Sequence, residues 1–137
     1  MERRSAHVAF LTLFRFDARA NGYARSEGVG ACIMLLVDGS QKGSVLSGSA
    51  VRQDGHSASL TAPNGSAQAL LLSRATTAAR LSSSEVTGFQ AHGTGTALGD
   101  PTEVGAIAAV RHGHGVDSSP TLGSGKANLG HSEPAAG

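Results

Sequence analysis

Tryptophan is absent from this chain, and tyrosine and cysteine occur once each. With aromatics at 4% there is no platform on which nucleic-acid bases could stack. Charge of one sign is missing too: 11 basic residues face 10 acidic ones, spread along the chain for a net +1. That balance excludes a basic stripe for a nucleic acid or an anionic membrane surface. The single cysteine, Cys32, excludes an internal disulfide framework and fits a reducing, cytoplasmic compartment. No stretch approaches the ~20 apolar residues of a membrane-spanning helix. Large apolar side chains are also scarce, with 28 Leu, Ile, Val and Phe against 41 Ala and Gly. A core built from this composition has small side chains, and we expect it to be completed against something further.

At 137 residues the chain is at most one domain, or a piece of a larger one. Arg3 and Arg4 ahead of the apolar "VAFLTLF" have the look of a targeting peptide. Against that, Arg15 ends the run without a small-residue cleavage site, which leaves a strand or an irregular start. Residues 28–37, "GVGACIMLLV", read as a buried strand, and 44–51 as a second. The "DGSQKG" between them makes a hairpin. From Ser66 the period changes, and Leu70, Leu71, Ala75, Ala78 and Ala79 fall along one helical face. "EVTGFQA" is a third strand that delivers His92 at its end. "DPTEVGAIAAVR" follows as a helix with Asp100 as N-cap, Pro101 at the first position and Glu103 at the third. "TLGSG" is a fourth strand, and "HSEPAAG" opens another helix. The order β-β-α-β-α-β-α predicts a layered α/β architecture. In such sheets reactive groups gather at strand C-terminal ends, where His92 and His131 arrive after successive strands.

Two readings of "AHGTGTALGDP" compete. Gly93, Gly95 and Gly99 lie between a strand and a helix, the context of a dinucleotide cradle and so of a nicotinamide-dependent reductase. Asp100 and Glu103 in the helix's first turn oppose that reading, because they would repel a pyrophosphate. The other reading is catalytic. Lys126, one of only two lysines, sits among Ser124, Gly125 and Ala127, five residues before His131. A lysine and two histidines on adjacent strand ends can stabilise an oxyanion and settle proton positions. For each residue alone, a solvated loop position is the bland alternative.

The segments "AHGTGTALGDPTEVGA" and "GSGKANLGHSEPAAG" resemble the two histidine motifs of β-ketoacyl synthases, in particular the ketosynthase domain of type I polyketide synthases. "FDARANGYARSEGVGA" and "GSAVRQDGHSASLTAPNG" resemble the same family in the same order. The resemblance runs over residues 16–137 and leaves 1–15 as a divergent N-terminal segment. It implies a partial thiolase-type fold, layered α/β/α/β/α, containing the end of the N-terminal half and a truncated C-terminal half. The implied reaction is decarboxylative Claisen condensation of an acyl thioester with malonyl-acyl carrier protein, usually in a homodimer. His92 and His131 match the catalytic histidines that donate N–H bonds to the enolate. Lys126 matches the lysine that supports them. Thr94 and Thr96 match the threonines that bond the phosphopantetheine arm, with Gly93 and Gly95 leaving room for it. No bound cofactor is implied beyond the carrier's phosphopantetheine, and neither nucleic acid nor membrane is a partner.

The chain departs from the family pattern at Ser26, Gly125, Ser132 and Pro134. Gly125 should loosen the strand that places Lys126. The family's nucleophilic cysteine has no counterpart here, because Cys32 lies mid-strand and reads as a buried structural residue. The expectation is a ketosynthase fragment, inactive in condensation when alone. Two alternatives stand beside it: a non-catalytic ketosynthase-like partner subunit, and a truncated product that does not fold by itself.

Overall fold

Two three-residue strands and the helix between them carry the architecture of the chain. The computed structural model describes residues 16–36, 43–57, 59, 62–112 and 119–135. Strand β1 (Gly88–Gln90) pairs in parallel with β2 (Thr121–Gly123), Phe89 standing opposite Leu122. A parallel pair cannot be joined by a tight turn. The crossover is supplied by α2 (Gly99–His112). Another helix of the same length, α1 (Gly65–Ala78), precedes β1 and packs on α2. Beyond β2 come one helical turn, α3 (Lys126–Leu129), and a 3-10 turn at Glu133–Ala135.

The small side chains set how these elements meet. The buried apolar residues are Ala67, Ala91, Ala106 and Ile107, and no large side chain is fully buried among the described residues. Close approach of backbones takes the place of bulk. A Cβ on Gly65 would stand 3.3 Å from Thr102 Cγ2, so α1 starts against α2 with almost no room. A Cβ on Gly48 would stand 2.5 Å from the backbone nitrogen of Ala79, so only glycine lets the 43–57 segment cross the end of α1. Helix α1 begins at Asn64, whose side chain accepts the Ala67 N–H and whose amide donates to the carbonyls of Asp54 and His56. It ends at Ala79, and Arg80 then turns the chain through φ 56°.

The layered α/β class holds, with several local corrections. The expected hairpin of 28–37 and 44–51 is not formed in its described part: residues 28–36 and 43–51 carry no strand. A strand needs a neighbour to take its backbone hydrogen bonds, and no described segment pairs with this one. Val29 and Leu36 are in consequence fully exposed, and Cys32 is exposed rather than buried. On α1 the face turned inward centres on Ala67, while Leu70 and Ala78 face solvent. β1 is shorter than the seven residues expected, because 82–85 form a turn in which Glu85 accepts from the Ser82 N–H and hydroxyl. β2 ends at Gly123 and not at Gly125, so Lys126 starts a helical turn instead of following directly on a strand; Gly125 is helical, at φ −57° and ψ −24°. Residues 1–15, which contain the segment resembling a targeting peptide, lie outside the described residues.

Arg111, near the end of α2, is buried, and its Nη1 donates to the carbonyls of Ser83 and Val86 at 2.9 Å each. These bonds tie the approach to β1 onto the crossover helix. An Arg111→Met variant leaves both carbonyls without that donor. Unfolding of the full chain in urea should then show a loss of about 1–3 kcal/mol. An unchanged midpoint would mean that Arg111 does not hold β1 in place.

Candidate active site

The chain leaves the sheet just after β1, and two acids of α2 control how it leaves. The Ala91 N–H still donates to the Gly123 carbonyl at 2.8 Å. From His92 onward the ladder stops and carboxylates take over. Glu103 accepts the His92 N–H on one oxygen and the Gly93 N–H, at 2.9 Å, on the other. Asp100 accepts the Gly95 N–H at 2.9 Å and, on its second oxygen, the Phe16 N–H at 3.0 Å. The expected roles of these two residues are therefore corrected. Asp100 is not the N-cap, because the helix already runs at Gly99 and the cap bond comes from Thr96, whose Oγ1 accepts the Gly99 N–H. Glu103 reaches back to the preceding loop, not to its own helix end. The amides that would cradle a pyrophosphate are occupied by carboxylates, which argues against a dinucleotide site.

Left-handed backbone at Gly93 (φ 47°) and Gly95 (φ 69°) lets the loop fold onto these acids. A Cβ on Gly93 would stand 2.8 Å from Ser124 Cβ, so glycine is needed there for packing as well as for conformation. Ser124 in turn donates to the His92 carbonyl at 3.3 Å, joining the loops that follow β1 and β2. Thr94 is buried and Thr96 exposed, with their hydroxyls 3.5 Å apart.

His131 reaches the same place by another route. Its backbone bridges Arg25: the His131 N–H donates to Ala24, and the Ser26 N–H donates to the His131 carbonyl. The ring is buried, 4.7 Å from that of Tyr23 and 5.3 Å from that of His92, edge to face with the latter at 85°. The Glu133 N–H donates to His131 Nδ1 at 3.0 Å. A backbone amide can only donate, so Nδ1 accepts and the neutral ring carries its proton on Nε2.

His92 and Lys126 line one cleft of about 680 Å³, together with Gln90, Glu27, Gly130 and Ser132. Thr96 borders a different cleft of about 560 Å³, beside Phe16, Ala20, Pro101 and Val104. The fold thus gathers His92, His131 and Lys126, while Thr96 faces a separate hollow. His92 is held below the ordinary imidazole pKa, first by partial desolvation and then by the Lys126 charge; His131 acts in the same sense, and Glu103 and Asp100 oppose. The native state therefore binds fewer protons at His92 than the unfolded chain does. Its contribution to stability is whole above the ordinary imidazole value and is lost as pH falls from that value through the lower folded-state one. Among the described residues, no group of three His, Cys, Asp or Glu is arranged to hold a metal.

Sequence reasoning missed the acid clamp, though its signal was visible: two carboxylates in a first helical turn behind a glycine loop. It also missed Tyr23, Arg25 and Glu133 around His131, which are far apart in sequence and carry no spacing signal.

A parallel β-α-β unit, with His92 just past β1 and Lys126 and His131 in the turns beyond β2, defines an α/β protein. Comparison with known proteins narrows this to a family. Residues 43–137 match the family described as "Beta-ketoacyl synthase, C-terminal domain", and the chain belongs to it. The chain is 46% identical over 127 residues to erythronolide synthase EryA2 of Saccharopolyspora erythraea, covering 89% of itself and 4% of that protein. It is 43% identical over 130 residues to the highly reducing polyketide synthase azaB of Aspergillus niger, covering 90% of itself and 5% of that protein. Among solved structures, the oxazolomycin ketosynthase domain OzmH KS7 of Streptomyces albus JA3453 superimposes with a TM-score of 0.64 at 35% identity, over 67% of this chain and 16% of that one. The fold is accordingly a partial thiolase-like ketosynthase. No described helix is long and apolar enough to cross a membrane.

The charges around His92 give a direct check. Lys126→Met removes the cation that disfavours imidazolium and should raise the His92 pKa. Glu103→Gln removes an opposing anion and should lower it. A pH titration of the His92 ring by NMR reads both, and shifts of the same sign in the two variants would contradict this electrostatic account.

Proposed function

We propose that this chain supplies the carbanion-stabilising half of a decarboxylative Claisen condensation on malonyl-acyl carrier protein. The observation that carries the reading is the pair of histidine rings at 5.3 Å beside a cleft that also holds Lys126. In the reaction, the bond between the malonyl methylene carbon and its carboxylate breaks and carbon dioxide leaves. The electron pair moves into the thioester carbonyl, giving an enolate. His92 and His131 donate N–H bonds to the enolate oxygen as its charge develops. Lys126 helps to keep His92 neutral, so that its ring donates without competing for the proton. Thr94 and Thr96, whose hydroxyls lie 3.5 Å apart, hold the phosphopantetheine arm, which must then run from the hollow beside Thr96 to the histidine cleft. The enolate carbon then attacks an acyl thioester carried on a cysteine, or takes a proton from solvent to leave an acetyl thioester.

The chain's one cysteine is Cys32, in the exposed 28–36 stretch and not among the residues of the histidine cleft. We therefore assign it no acyl-carrying role, and we assign the isolated chain no condensation activity. Residues 16–137 form the partial ketosynthase domain, with 1–15 a separate segment. The working assembly is a cytoplasmic homodimer of the whole domain that receives acyl and malonyl groups from acyl carrier protein. The chain spans 4–8% of the length of the curated relatives that it matches, so these properties belong to the proposal.

One observation favours a second reading, that of a non-catalytic ketosynthase-like partner. Val29, Ile33, Leu35 and Leu36 are exposed together, more apolar surface than an isolated protein usually shows in one segment. That reading predicts co-migration with a cysteine-bearing ketosynthase on a sizing column.

Malonyl-acyl carrier protein incubated with the full chain should lose carbon dioxide and yield acetyl-acyl carrier protein, without forming a new carbon–carbon bond. His92→Ala and His131→Ala should each slow the loss by about 10²–10³-fold, the usual effect of one oxyanion donor. Decarboxylation that survives both substitutions would defeat the proposal.

A further inference from the structure

Glu133 has a backbone that L-residues seldom adopt, φ 49°, and its side chain and its amide act in different directions. The amide donates to His131 Nδ1 at 3.0 Å. The carboxylate turns the other way, onto Arg25 Nε at 2.9 Å, and the Tyr23 hydroxyl lies 3.5 Å from the same oxygen. Arg25 is also the residue whose backbone bridges His131, and the Tyr23 ring rests 4.7 Å from the His131 ring. Tyr23 therefore meets the histidine ring directly, Arg25 stands opposite His131 in the bridge, and both reach Glu133 through its carboxylate.

We propose that Arg25 and Tyr23 are positioning residues for His131, acting through Glu133. By anchoring the carboxylate they keep Glu133 in its left-handed conformation. That conformation aims the Glu133 N–H at Nδ1, and the bond fixes the His131 proton on Nε2. Once the carboxylate is released, the Glu133 peptide relaxes toward ordinary φ and its N–H leaves Nδ1. The imidazole is then free to populate the other tautomer or to turn. Neither Arg25 nor Tyr23 contacts substrate in this scheme. The importance of the fixed tautomer rests on the proposed function, because an oxyanion donor must present its N–H on the substrate side. The tautomer itself can be read with no substrate present.

The test is a long-range ¹H–¹⁵N NMR spectrum of the histidine side chains in the full chain, at a pH where the rings are neutral. The wild type should show His131 with Nε2 protonated and Nδ1 bare. Arg25→Met and Glu133→Gln should each raise the Nδ1-protonated share of His131 by about threefold, the scale set by one exposed ion pair. Arg25→Lys, which restores the charge, should return the share to near wild type. Tyr23→Phe, which keeps the ring but loses the hydroxyl, should give a smaller rise. The His112 signals, from the far end of α2, serve as the internal control and should not move. If Arg25→Met does not fold, Glu133→Gln and Arg25→Lys still carry the test. A folded Arg25→Met or Glu133→Gln with the wild-type tautomer ratio overturns the proposal, as does a wild type protonated on Nδ1. Failure of malonyl decarboxylation with this tautomer pattern intact would instead count against the proposed function alone.

Discussion

Four backbone N–H groups rest on two carboxylates, and the rest of the site depends on that arrangement. Glu103 takes the amides of His92 and Gly93; Asp100 takes those of Gly95 and Phe16. A loop with two left-handed glycines has little conformational preference of its own and loses much entropy when it is fixed. Charge-assisted bonds of this kind contribute about 1.5–3 kcal/mol each, enough to oppose that cost. Asp100 is well placed for it, since the positive end of the α2 dipole favours a carboxylate in the first turn. The same helix that connects β1 to β2 thus fixes the loop that leaves β1.

The second histidine depends on a different hold. His131 is placed by a single bridge to the 24–26 segment, by packing against Tyr23 and by the amide of Glu133. The two histidines share one region because β1 and β2 are neighbours and Ser124 joins their following loops. A core of alanines permits this closeness: with Ala67, Ala91 and Ala106 inside, the helices and loops approach backbone to backbone. The cost is a thin interior, and the apolar residues of 28–36 are left on the surface.

What could be read from the sequence follows from the range of each signal. The helices α1 and α2 were legible as helices because their start signals and periods are local, although the inward face of α1 and the N-cap of α2 were not. So was the delivery of His92 by a strand, since "GFQA" and the glycine loop lie within ten residues. The family could be named because the two histidine motifs are long and specific. Contacts made over distance were not legible. Residues 28–37 look like a buried strand by composition, but burial is a property of the neighbour, and no described neighbour is there. Asp100 and Glu103 satisfy a capping pattern as well as they satisfy a loop clamp, and only geometry separates the two. Glu133 gave no signal at all, because its role depends on Tyr23 and Arg25, more than a hundred positions away.

The central claim is that the clamped loop brings His92 and His131 to bear on one carbonyl oxygen. Titrating the full chain with a malonyl-pantetheine amide, while following the side-chain ¹⁵N signals of both histidines, tests it most directly. The account predicts that both rings shift together and saturate with a single affinity. A response from one ring alone, or from neither, would contradict it.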